Sequence, residues 1–228
     1  MELALALFVA GPLGERFRLR RKGLPPCAAR ITPMSSSARG GLVRMCARML
    51  LIHGAADTGW AFHRLATELE SRGHAVAAPD LPCEHEEAGL EAYADAALAP
   101  LAAMGRADEP VVVLGHSLGG YTAPTVAERA RADHLVVLTA MVPRPGERAS
   151  EWWGATGLTQ ALGTSEYDAT DEVATFMHFP AAWMRGVAED RLGTEPIEVP
   201  GSHCAPLSRP AELAAALDGL VARTTDPA

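Results

Sequence analysis

From residue 49 onward the chain alternates short runs that are apolar at nearly every position with longer stretches whose apolar residues recur every three or four. "MLLIH" (49–53), "AVAAPD" (75–80), "VVVLGH" (111–116) and "HLVVLTAM" (134–141) are of the first kind and predict strands. A strand with no polar face is one covered on both sides, as in a parallel sheet between layers of helices. "WAFHRLATELESRG" (60–73) and "LEAYADAALAPLAAMG" (90–105) are of the second kind and predict amphipathic helices, the first stopped by Gly73. A third helix is expected directly after Ser117. Near the end "IEV" reads as a weak strand and "PGSHCAPL" as a loop, with Ser208 a candidate N-cap ahead of Pro210, Glu212 and an apolar-periodic helix. Strand, helix, strand, repeated in this way, is the pattern of an α/β domain with a mostly parallel sheet and helices on both faces.

Two stretches break the pattern. Residues 144–195 contain no β-branched run, only Val173, Val187 and scattered Thr, and predict no strand. Residues 11–48 mix Pro, Gly, Ser and Arg without sustained period, so they bury little surface and are expected to stay loose, with "FRLR" a short edge strand at most. The start, "MELALALFVAG", has an apolar core like a signal peptide, but Glu2 precedes it and the basic cluster from Arg16 to Lys22 follows it, the reverse of the secretory order. The expected division is a loose basic N-terminal extension over 1–48 and one α/β domain over 49–225, with a small cap at about 144–180. Met45 and Met49 stand directly before the first strand, which makes Met45 a candidate natural start.

Composition narrows the partners. At 228 residues and 48% hydrophobic, the chain suffices for one globular domain and is tight for two. Residues 1–48 hold nine Arg/Lys against two acids, and residues 49–228 hold eleven Arg, no Lys and 26 acids. A body with a net charge of −15 repels a phosphate backbone, so no nucleic acid is expected as a partner. No run reaches the ~18 apolar residues of a membrane span, so no membrane is expected either. Cys27, Cys46, Cys83 and Cys204 lie far apart with no C-x-x-C pair, which reads as free thiols in a reducing, cytoplasmic setting.

The chemistry centres on "VVVLGHSLGGYTAP" (111–124), where Gly115-His116-Ser117-Leu118-Gly119 matches G-x-S-x-G. Such a serine takes a strained backbone at the hinge between strand and helix, and glycines two residues to either side let the two elements approach without side-chain collision. The bare pattern is weak and can occur by chance, as a glycine-rich turn with an idle serine. Here it follows a strand and opens a helix, which makes Ser117 the candidate nucleophile. Acyl transfer also needs N–H donors for the developing oxyanion, each worth roughly 3–4 kcal/mol in a studied protease. The Leu118 N–H, at the start of the helix, is one candidate. Ala55 in "IHGAADTGW", the loop after the first strand, is the other, although that loop by itself reads as an ordinary turn.

With those residues in place, "LLIHGAADTGWAFHRLATELESRGHAVAAPDLP", "VVVLGHSLGGYTAP" and "GSHCAPLSRPAELAAAL" resemble segments of α/β-hydrolase fold proteins. The resemblance is to the branch holding plant-type methylesterases and hydroxynitrile lyases with their bacterial relatives. It covers residues 49 to about 150 and about 180 to 221, and implies Ser117 as nucleophile, Ala55 and Leu118 as oxyanion donors, and His203 as base. In this fold the chain order is serine, acid, histidine, which leaves His134, His178 and His203. His134 begins a strand, the wrong end of a parallel sheet for a site. His178 lies in an irregular stretch, whereas His203 follows a strand, precedes a helix and has Gly201 to relax its loop. Relatives carry a strand and an aspartate turn between "HLVVLTAM" and "PIEVPG". By the size of a βαβ unit, something on the order of 30 residues is absent here. That absence is expected to leave a sheet edge unpaired or to force those two strands together.

Glu147, Glu151, Asp168, Asp171 and Asp190 are acids by type, each expected to be a solvated surface charge, and none is assigned as the triad acid. "CEHEE" (83–87) offers adjacent side chains that point apart on a loop, so no metal and no cofactor is expected. "EWWGATG" (151–157), with Tyr167 and Phe176, reads either as a cap over the site or as a peripheral helix pair packing its own Trp residues. The expected function is hydrolysis of a small carboxylic ester through an acyl-enzyme, impaired by the absent acid. The alternatives are a hydroxynitrile lyase and an inactive variant. Lyases of the branch use a lysine near the nucleophile and often a threonine in the first-strand loop, whereas Lys22 is the only lysine of this chain and Ala55 fills the loop position.

Overall fold

A computed structural model describes residues 4–10, 46–162 and 179–223. Six strands make one sheet: β1 (Ala4–Ala10), β2 (Arg48–Ile52), β3 (Ala75–Ala77), β4 (Val111–His116), β5 (His134–Leu138) and β6 (Ile197–Pro200), in the order β3-β2-β4-β5-β1-β6. β2 runs parallel to β3 and β4, and β4 parallel to β5. β4 and β5 are buried at every position, as their unbroken Val and Leu runs require.

Alternation along each strand divides the core between two faces. Met49, Leu51, Val112, Leu114, Val136 and Leu138 meet α1 (His63–Ser71) and α8 (Pro210–Arg223) through Leu65, Leu69, Leu213 and Leu217. Leu50, Ile52, Val111, Val113 and Leu135 meet α2 (Leu90–Leu98) and α3 (Ala123–Ala130) through Ala94, Ala97, Ala123 and Val126. Two faces close because the side-chain period of a strand is two. Pro100 follows α2 and only a single 3-10 turn, Leu101–Ala103, continues beyond it, so the helix expected over 90–105 is shorter than its apolar pattern.

The late interval is helical: α4 (Ala149–Ala155), α5 (Leu158–Leu162) and α6 (Ala181–Leu192) contain all its regular structure among the described residues, and no strand. α6 packs Met184 and Ala188 on Val137, Ala140 and Val142. The place expected to stand empty between β5 and β6 is filled instead. β1 pairs antiparallel with both, Leu7 lying opposite Leu138 on one side and Ile197 on the other. Residues 4–10, read from sequence as the start of a loose extension, are therefore an interior strand: β5 is not left as an edge, and it does not pair directly with β6, which is the edge strand on that side. The other correction is at Ser208, which does not cap α8: it ends α7 (Ala205–Ser208), its hydroxyl donating to the Cys204 carbonyl at 3.2 Å. The expected edge strand "FRLR", along with Lys22, Cys27 and Met45, lies outside the described residues. Among those described, no helix is long and apolar enough to cross a membrane.

Candidate active site

β4 ends at His116, and Ser117 turns the chain with φ of +55° into a 3-10 turn, Ser117–Gly120, that leads into α3. A left-handed backbone at a non-glycine residue is uncommon and costs energy, which neighbours must supply. The glycines make that neighbourhood possible. A Cβ on Gly119 would lie 2.5 Å from the Ile52 carbonyl oxygen and 2.7 Å from that of His53, and one on Gly115 would lie 2.6 Å from the Ala123 Cβ. Gly120 is as constrained, with its Cβ position 2.1 Å from the Met141 carbonyl oxygen. The Met141 N–H in turn donates to the Ser117 carbonyl at 3.0 Å, tying the turn to the chain beyond β5.

The loop after β2 closes on this turn. Gly54 is so near Ser117 that a Cβ there would be 2.6 Å from the serine Cβ and 3.1 Å from its Oγ. His53, buried, braces the loop from below: its Nε2 accepts from the Leu81 N–H at 3.0 Å, which leaves the proton on Nδ1 to donate to the Gly54 carbonyl at 2.9 Å. A cavity of about 580 Å³ opens against the same backbone, lined by Gly54, Ala55, Leu118 and Gly119, with Leu90 and Tyr93 among its outer walls. Glu147 and Arg148 mark its polar rim. Ala55 is exposed and Leu118 half-buried. Trp152 of α4 stands behind Leu118 and Tyr121, its indole N–H donating to the Val142 carbonyl at 3.0 Å.

His203 sits in the loop after β6, buried at 5% exposure, where Gly201 takes φ of +144°. Its ring is 4.7 Å from that of His116, the residue before Ser117, and the His116 Nε2–H donates to the His203 carbonyl at 2.8 Å. Phe179 meets its other side edge-on at 5.7 Å. Burial, and secondarily the neighbouring His116 ring, pull the His203 pKa down to about 3, so the imidazole is neutral at ordinary pH. His134 lies at the opposite end of the sheet, beside Val112, about four residues or ~13 Å along the strand from the level of His116. His178 lies outside the described residues.

Of the acids weighed from sequence, the three described ones are committed elsewhere. Glu147, expected to be a solvated charge, is instead largely buried, paired with Arg191 at 2.7 Å and accepting from the Arg144 N–H at 2.9 Å. The arginine holds its carboxyl below the usual range. Glu151 accepts from the Arg148 N–H at 3.0 Å at the start of α4, and Asp190 pairs with Arg144 at 2.9 Å. Asp168 and Asp171, with Tyr167 and Phe176, lie outside the described residues. Asp57, which sequence reasoning passed over, is two residues beyond Ala55; burial lowers the His116 pKa and raises that of Cys204, and the Asp57 charge offsets the first in part and adds to the second. Among the described residues no three His, Cys, Asp or Glu gather as metal ligands.

The chain belongs to the alpha/beta hydrolase family, whose model matches residues 49–195. Methylesterases stand among its relatives, as the sequence resemblance implied: it is 30% identical over 105 residues to Methylesterase 4 of Arabidopsis thaliana, a match covering 42% of this chain and 40% of that protein. It is 40% identical over 111 residues to lipase LipV of Mycobacterium tuberculosis, covering 46% of this chain and 41% of the lipase. The chain thus spans about two fifths of the length of the curated relatives it matches. Among solved structures, a pyrethroid hydrolase superposes with a TM-score of 0.60 at 18% identity, over 80% of this chain and 100% of its own. A polyneuridine aldehyde esterase superposes with a TM-score of 0.51 at 17% identity, over the same shares. At these identities the likeness is one of fold.

Proposed function

We propose that the chain is a serine-dependent hydrolase of small, uncharged carboxylic esters. The observation that carries this reading is the cavity that ends on the Gly54–Ala55 and Leu118–Gly119 backbone beside a strained Ser117. In this reading the neutral His203 takes the proton of Ser117 as Oγ attacks the ester carbonyl carbon. The Ala55 and Leu118 N–H groups hold the resulting oxyanion. The alcohol departs with the proton from His203, and water, activated by the same imidazole, then releases the acid. The relatives named for methyl esters and pyrethroids support ester chemistry as the class. Apolar walls around Leu81, Leu90 and Tyr93 favour a substrate whose buried part carries no charge.

The rate is expected to be low. A base with a pKa of about 3 is unprotonated at every useful pH but a weak proton acceptor. Glu147, Glu151 and Asp190 are each engaged by arginines or backbone N–H groups, and the reading assigns no triad acid to this chain. In a studied serine protease, replacing the triad Asp by Asn costs about 10⁴ in turnover.

The test is covalent. A fluorophosphonate probe should label Ser117 slowly, and p-nitrophenyl acetate should be turned over weakly. No labelling of a folded preparation overturns the serine reading, and labelling that survives Ser117→Ala moves the nucleophile elsewhere. Turnover at ordinary esterase rates would restore an acid to the site.

A further inference from the structure

β6 lies three places from β4 in the sheet, about 14 Å at ordinary strand spacing, yet the loop that follows it brings His203 back to the end of β4. Downstream the chain is anchored by Ala205 in the core and by Arg64, whose guanidinium donates to the Leu207 carbonyl at 3.3 Å. At His203 itself the His116 side chain reaches the backbone, its Nε2 lying 2.8 Å from the carbonyl oxygen. We propose that His116 is a positioning residue: the N–H it donates to the His203 carbonyl fixes the backbone of the base beside Ser117.

A carbonyl oxygen can only accept, so this bond requires the proton of His116 on Nε2. The ring is buried, and burial lowers its pKa, so it carries one proton and Nδ1 is bare. That nitrogen has no hydrogen-bond partner among the described residues. Burying an imidazole with one nitrogen unpaired is costly, and a leucine or phenylalanine would fill the space against Phe62 without that cost. Packing therefore does not account for a histidine here, whereas a donor aimed at residue 203 does. The inference rests on His203 acting as base, and its test is arranged to fail separately from that reading.

His116→Leu removes the donor and should lower kcat on p-nitrophenyl acetate, and the fluorophosphonate labelling rate, by about 10- to 100-fold with KM unchanged, as a misplaced catalytic group does. His116→Gln, whose amide can reach the same carbonyl, should recover most of the parental rate. On a His203→Ala background His116→Leu should have no further effect, because it acts only through that residue. If a leucine variant does not fold, ¹⁵N spectra of the unmodified chain decide: His116 must appear as the Nε2–H tautomer, and a proton on Nδ1 overturns the proposal. A His203→Ala variant as active as the parent defeats the general-base reading and, with it, the route by which His116 would act. An inactive His203→Ala beside a fully active His116→Leu defeats the positioning role alone.

Discussion

One half of the sheet is built from neighbours in the chain and the other from its distant parts. β2, β3, β4 and β5 follow one another through α1, α2 and α3, each strand parallel to the next in the sheet. β1 and β6 pair antiparallel although they come from residues 4–10 and 197–200, and the described chain between β5 and β6 is occupied by the helices α4 to α6. In the first half a local pattern is sufficient to locate a strand. In the second, what fills a place in the sheet is decided by which apolar segment can reach it, wherever in the chain that segment lies.

Glycines give the sharpest way to break this comparison. Gly120→Ala in the turn after β4 should leave no folded protein at 25 °C, since its Cβ would meet a backbone oxygen at 2.1 Å with no flexible neighbour to yield. Circular-dichroism melting reads the outcome, and a variant as stable as the parent would show that the first half is less tightly built than its contacts imply.

The second half is tested by Leu7→Pro. A proline in a strand paired on both sides removes a ladder N–H, and the carbonyl it leaves unpaired should cost about 1–3 kcal/mol, seen as a lower denaturant midpoint. No change would mean that β1 contributes nothing to the sheet.

The join between the halves is sensitive to acid. His203 has a folded pKa of about 3 against an ordinary 6.5, so below pH 6.5 the unfolded chain binds a proton that the folded one refuses. Its contribution to stability is intact above pH 6.5 and is lost as pH falls toward 3, at up to about 1.4 kcal/mol per pH unit. His116, with its pKa lowered by burial, acts in the same direction. Unfolding between pH 7 and 5 should show this slope, and His203→Ala should flatten it.

The smallest effect belongs to Gly186, inside α6, where nothing lies within 4 Å of an added Cβ. Gly186→Ala should stabilise by about 0.5–1 kcal/mol through helix propensity alone.

The same division governs what could be read from the residues. β4, Ser117 and the flanking Gly115 and Gly119 are legible because the strand, the turn and the helix that need them are contiguous. The loop that carries His203 is legible one step further off, because it falls between a strand and a helix. His53 and His116 pass unnoticed because their partners are at Leu81 and His203, 28 and 87 residues away. Glu147 looks like a solvated charge for the same reason, its arginine being 44 residues on. "ALALFVA" carries an apolar signal and no indication of partners, so its place in the sheet could not be inferred from period or composition.

The position of β1 sets an order of events in synthesis. Residues 4–10 are made before the other strands of the sheet, while β6, one of the two strands they join, follows only after nearly 190 further residues, on the order of ten seconds or more at cellular elongation rates. β2 to β5 have their partners to hand as they emerge. Residues 4–10 have to wait for β6, and pairing across so much of the chain is the kind of long-range contact that folds slowly.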